Sequence, residues 1–180
     1  MATPFRPAID LLVQYAEYHR DRRNIATHFF GVPMIVFGVG VLLARAGVEI
    51  GGWWVTLAWL AFALSAAWYL TRGELGLGVA SSVSVGILIL LAHPLASGGT
   101  ATWLAWGVGF FVLGWVIQFI GHYYEGRKPA FADDLIGLLV APMFVVMELL
   151  AMAGYFKALV AHIESRAGPT VLRDLAHPAT

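Results

Sequence analysis

Between Leu75 and Gly121 the chain runs for 47 residues without a lysine, arginine, aspartate or glutamate. A helix needs about 20 apolar residues to cross the hydrocarbon of a bilayer. The run therefore predicts two transmembrane helices, over 75–93 and 101–122, joined by a turn at His93-Pro94-Leu95-Ala96-Ser97-Gly98-Gly99. Composition agrees: 59% of the 180 residues are hydrophobic and 12% are charged, about half the charged share of a soluble domain.

The rest of the chain fits around that pair. Residues 25–44 and 50–71 predict two earlier spans, with Trp53, Trp54, Trp68 and Tyr69 as interface anchors. Residues 135–156 form a fifth hydrophobic segment. Pro142 and Glu148 interrupt it, so it reads as a kinked span or a re-entrant helix. Residues 7–19 carry Ile9, Leu12, Val13 and Ala16 on one stripe, an amphipathic helix that lies on the membrane or against the bundle. Residues 157–180 read as a polar tail that frays beyond Ala167-Gly168-Pro169. Asp133 and Asp134 read as charges at the start of the last helix. The fold class is thus an all-α polytopic membrane protein of one domain, 1–180. Gly76, Ala80 and Ser84 are a helix-packing pattern rather than chemistry.

Function classes fall away quickly. Lys plus Arg and Asp plus Glu both number 11, so zero net charge gives no reason to expect nucleic acid as a partner. The absence of cysteine excludes disulfides, thiolate catalysis and iron–sulfur clusters. The N-terminus lacks the unbroken apolar core of a secretory signal.

Four spans before Gly121 put residues 1–24, 72–74 and 122–134 on one side. That side holds Arg6, Arg20, Arg22, Arg23, Arg72, Arg127 and Lys128, whereas the opposite loops hold Arg45. The excess of positive charge predicts a cytoplasmic location for it. His19, His28 and His122 then share one boundary. His93 lies at the far one, and His162 and His177 go with the tail. Three histidines at one depth on three elements resemble the protein part of a metal site with open positions. His19 and His28, nine residues apart, would face opposite ways on one straight helix, so they converge only if the chain bends at Arg20–Asn24. Gln118, His122 and Glu125 fall at i, i+4 and i+7, on one helix face.

Each residue has a plainer role open to it. Interfacial histidines act as polar anchors, Glu125 can pair with Arg127 or Lys128, and Glu148 can be buried against a partner. A non-enzymatic membrane scaffold and a small transporter built on Pro142 and Glu148 are the rival classes. No inverted repeat supports the transporter.

Two stretches carry a family resemblance. Tyr15-x-x-Tyr18-His19, Asn24-x-x-x-His28 and Pro33 resemble the N-terminal signature of the 2-hydroxy fatty acid dioxygenases of fatty-acid α-oxidation. Trp115-x-x-Gln118-Phe119-x-Gly121-His122, with Glu125 and Arg127-x-Pro129-Ala130, is similar to the second signature. Leu139-Val140-Ala141-Pro142 and Glu148 resemble its last hydrophobic stretch. The resemblance spans about residues 10–157 and departs at Asp21-Arg22-Arg23, where a loop richer in Asn and Pro is expected. It implies an Fe(II) enzyme that uses O2 to cleave a 2-hydroxy fatty acid between C1 and C2. His19, His28 and His122 would be the metal ligands, and Glu125 a further ligand or support. Gln118, Asn24, Arg127 and Lys128 would meet the substrate, whose acyl tail would enter from the lipid bilayer.

Overall fold

A computed structural model describes residues 5–129 and 135–174. Asp133, Asp134, Ala130 and His177 lie outside the described residues. The chain is mostly helical: α1 Ala8–Ala16, α2 Arg22–Ala44, α3 Leu57–Leu70, α4 Leu75–Ala96, α5 Thr100–Glu125, α6 Gly137–Met152 and α7 Lys157–Ala167. Between α2 and α3 lie β1 Gly47–Ile50 and β2 Trp53–Thr56. Among the described residues three helices, α2, α4 and α5, are long and apolar enough to cross a membrane, and the bent pair α6–α7 would make a fourth if it is one span.

The hairpin takes the first residues of the expected second span and adds two short strands to an otherwise helical chain. Gly51 and Gly52 both have positive φ, 58° and 81°, the conformation that a two-residue hairpin turn demands. Val48 pairs with Val55 and Ile50 with Trp53 in an antiparallel register. Those β-branched and aromatic residues suit strands. The helix starts only after Thr56, whose hydroxyl accepts from the Trp59 N–H. Its 14 residues make about 21 Å of helix.

The long helices pack through glycine. Helices α2 and α5 make the most extensive contact in the molecule. Gly31 and Gly38 on α2 face Gly114 and Gly107 on α5. A Cβ on Gly38 would come within 2.7 Å of the Gly107 carbonyl oxygen, and one on Gly114 within 2.8 Å of the Gly31 carbonyl oxygen. Two turns nearer the histidines, Gly121 lies against Asn24 and Thr27. A seven-residue repeat of glycine on both helices thus lets the two backbones touch.

Helix α1 is buried against the bundle through Leu11, Leu12, Val13, Tyr15 and Ala16 rather than half-sunk at a surface. Its Ala8 N–H donates to the Arg72 carbonyl, which ties it to the α3–α4 turn. The pair α6–α7 bends by 118°. Phe144 of α6 lies 5.1 Å from Tyr15, and Phe156, at the bend, approaches Gly76 at the start of α4. The tail therefore returns to the end of the bundle that holds α1 and the 72–74 turn. Beyond Gly168 the described residues are held in place: Val171 forms a bridge with Asp21.

Placing a methyl group into the α2–α5 contact should separate the helices. Overpacking of this kind costs about 1–3 kcal/mol. Gly38→Ala is expected to lower the thermal midpoint in detergent, whereas Gly109→Ala, on the same helix with nothing within 4 Å of its Cβ, is expected to leave it unchanged. Equal midpoints would show that the glycine contact is not what holds the pair.

Candidate metal centre

His19, His28 and His122 come from three different places. His28 is in the second turn of α2, and His122 is in the last turn of α5. His19 sits on the non-helical link between α1 and α2. The link is shaped from outside. Glu125 Oε2 accepts the backbone N–H of Arg20 at 2.9 Å and of Asp21 at 2.8 Å, and the Asn24 amide at 3.0 Å. Asp21 then caps α2 by accepting from the Arg23 N–H. Burial opposes ionisation of Asp21, but hydrogen bonds from the Arg23 side chain and from the Arg173 and Arg23 backbone hold its carboxyl down at about 2. At the other end, α5 stops at Gly126 with φ 66°, whose N–H donates back to the His122 and Tyr123 carbonyls.

The three side chains meet in a buried cluster. Their exposures are 0%, 2% and 6%, and one ligand nitrogen from each lies within 4.8 Å of the others. His19 Nδ1 donates to the Tyr15 carbonyl at 2.6 Å, and His28 Nδ1 donates to the Asn24 carbonyl at 2.8 Å. A carbonyl can only accept, so both protons are assigned to Nδ1. The two Nε2 atoms nevertheless face each other at 3.0 Å. Burial, then the neighbouring His28 and His122, push the His19 pKa well below its ordinary value, which favours neutral imidazole. Two lone pairs at that distance repel unless a cation lies beside both. His122 Nδ1 is buried with no hydrogen-bond partner. Backbone carbonyls that fix a tautomer behind converging nitrogens are the usual outer support of metal-bound histidine. The donor set therefore fits a transition-metal ion, with nitrogen ligands from three elements and room for further ligands. Tyr15 stacks on the His19 ring at 4.0 Å, and Phe144 closes that side at 5.7 Å.

The other expected site residues divide. Gln118 lies on the His122 face of α5, is buried, and its Oε1 meets no partner. With Tyr15, His28, Trp115 and His122 it lines a cavity of about 60 Å³ beside the cluster. Glu125 is buried on the same face, but its oxygens serve the link and Arg173 instead of joining the three imidazoles. The Asn24 amide nitrogen donates to Glu125 and to the Tyr18 carbonyl, while its Oδ1 is buried without a hydrogen-bond partner. Arg127 and Lys128 are exposed, and Arg127 donates to the Glu17 carbonyl at 3.1 Å. His93 is apart from the cluster, bonded to Thr56 at 2.9 Å and stacked on Trp59. Sequence reasoning missed Tyr15 as the floor under His19, although Tyr15 is one helical turn before it. It also missed Arg173.

The family model described as 2-hydroxy-palmitic acid dioxygenase Mpo1-like matches residues 5–74 and 76–153. The chain belongs to this family. It is similar to the 2-hydroxy-palmitic acid dioxygenase MPO1 of Saccharomyces cerevisiae, at 29% identity over 153 residues, 83% of each chain. That relative's name supports a dioxygenase-like activity here. No solved structure matches.

Purified protein is expected to bind one divalent transition metal per chain. The double variant His28→Ala, His122→Ala should lose it, and His93→Ala should keep it. Metal analysis by mass spectrometry reads both, and full occupancy in the double variant would remove the cluster from consideration.

Proposed function

We propose that the protein is an Fe(II)-dependent dioxygenase that shortens 2-hydroxy fatty acids by one carbon, with O2 as co-substrate. The observation that carries the reading is the buried cluster of three imidazoles, with two Nε2 atoms 3.0 Å apart, at the head of an apolar crevice. Histidines that were only interfacial anchors would reach water, and these do not. His19, His28 and His122 would hold the ion. Ferrous iron there would supply redox chemistry with O2 and open positions for a chelating hydroxyl and carboxylate.

The chain's own residues then have distinct duties. Gln118 offers an unpaired carboxamide oxygen beside the cluster, suited to accept the substrate's hydroxyl proton in a hydrogen bond. The substrate carboxylate calls for a cation. Arg127 precedes the cavity-lining Pro129 by two residues and would reach it by giving up the Glu17 carbonyl, with Lys128 beside it. A guanidinium matches a carboxylate with two prongs. Glu125 and Asn24 act by shaping the link that carries His19 rather than by touching substrate.

The acyl tail has a path. The small cavity shares Ile35, Val36, Trp115, Leu138 and Pro142 with a crevice of about 350 Å³ that continues along α2 to Leu43, between α3 and α5. From His28 to Leu43 is 15 residues, about 22 Å of helix. The crevice walls are overwhelmingly apolar, as a long acyl chain requires, and they are open to the side, so substrate enters from the bilayer. The positive charge at the cluster's end of the bundle supports a cytoplasmic location for that end.

Two measurements test this reading. Arg127→Gln should lose about ten- to a hundredfold in kcat/KM on a 2-hydroxy fatty acid, as expected for one charge-assisted contact of roughly 1.5–3 kcal/mol. Its activity on the uncharged methyl ester should hold. An unchanged acid-over-ester preference would make Arg127 a surface anchor.

Leu43→Trp, at the far end of the crevice, should shift preference toward shorter acids by about tenfold or more, the scale on which a hydrophobic pocket separates chain lengths. An unshifted chain-length profile would place the tail elsewhere.

A further inference from the structure

The segment after α7 is held at many points by the link that carries His19. Val171 N–H donates to the Arg20 carbonyl at 2.8 Å, and Arg22 N–H donates to the Val171 carbonyl at 2.9 Å. The Arg20 guanidinium donates to the Gly168 carbonyl at 2.8 Å, and that of Arg23 donates to the Arg173 carbonyl at 2.8 Å. Arg173 N–H donates to Asp21 Oδ2 at 2.8 Å. The Arg173 guanidinium reaches Glu125 Oε1 through Nε at 3.0 Å and through a terminal nitrogen at 2.7 Å. Residues 168–173 thus form a strap across residues 20–23.

The Glu125 carboxylate is fully buried. Its two oxygens face different ways in function. Oε2 receives the two N–H groups that set the link's course immediately after His19, and Oε1 receives Arg173. A buried anion that loses its cation is costly and seeks water or a new partner. If Glu125 turns, the Arg20 and Asp21 N–H groups are left unpaired, and His19 loses the backbone course that aims Nε2 at His28.

We propose that Arg173, through Glu125, is a positioning residue for the metal site, so that the C-terminal strap is part of the machinery that fixes His19. The proposal rests on the metal reading above. It gives residues 168–173 a task in metal affinity, although none of them is among the three clustered histidines.

The test is titration of metal-free protein in detergent with Co(II), read by its d–d absorption bands, beside thermal unfolding of the metal-free form. Loss of an outer support of a metal ligand typically costs 10–100-fold in affinity. Arg173→Gln should weaken Co(II) binding by about that factor and shift the bands. Arg173→Lys, which keeps the charge, should recover part of the affinity. Arg166→Gln, an exposed charge on α7, should bind as the wild type does. Wild-type affinity and bands in a folded Arg173→Gln overturn the proposal. So does a loss of affinity that leaves the bands unchanged and merely follows a lowered melting point. If Arg173→Gln does not fold, Arg173→Lys and Val171→Pro, which deletes the N–H bonded to Arg20, carry the test. Wild-type behaviour in both overturns it. A wild-type chain that binds no Co(II) removes the metal reading itself, and the proposal with it.

Discussion

A single carboxylate oxygen, Oε2 of Glu125, receives two consecutive backbone N–H groups and an asparagine amide from residues 20–24. Two of those donors belong to the link between α1 and α2, and the third to the first turn of α2. The carboxylate sits at the end of α5, more than a hundred residues away in sequence. Together with the 168–173 strap, it sets the course of the chain between α1 and α2, and so the place of His19. The geometry of the imidazole cluster therefore depends in part on a buried anion that is not in the cluster.

The second requirement is closeness. His28 and His122 belong to antiparallel helices, and their rings lie 5.4 Å apart. Side chains as short as imidazole meet in this way only if the helix axes are near. Glycines at 31, 38, 107, 114 and 121 remove the side chains that would keep them apart. Packing of small residues replaces the hydrophobic driving force that lipid does not supply between helices. The same contact closes one side of α2 and leaves the other open, where α3, α4 and α6 form the apolar crevice.

Much of this was legible beforehand. Depth alone grouped His19, His28 and His122, and helical spacing alone put Gln118, His122 and Glu125 on one face; all five side chains are buried. The nine-residue gap between His19 and His28 demanded a bend, and the bend is present. Pro142 and Glu148 marked α6 as something other than a simple span. What escaped was long-range. Nothing local in Glu125 says that it accepts from residues 20 and 21, and nothing in a polar tail says that Arg173 reaches Glu125. The Gly51-Gly52 hairpin was legible in principle, with Val48, Ile50, Trp53 and Val55 around it. The uninterrupted apolar run from Ile50 outweighed it, because hydropathy does not distinguish strand from helix over so few residues.

Helix α3 offers one more consequence. Its 14 residues amount to about 21 Å, against about 33 and 39 Å for the 22 and 26 residues of α4 and α5. A hydrocarbon layer of about 30 Å is too thick for it. Lipids on that flank must shorten, tilt or disorder to match, while those beside α5 need not. The crevice opens on the same flank, through Ala61, Phe62 and Ser65 of α3. In a bilayer the mismatch would be greatest beside the crevice, and an acyl chain of the proposed substrate would give up the least cohesion with its neighbours there. The hydrophobic mismatch of one short helix would then make the membrane easiest to draw a chain from where the protein has room to receive one.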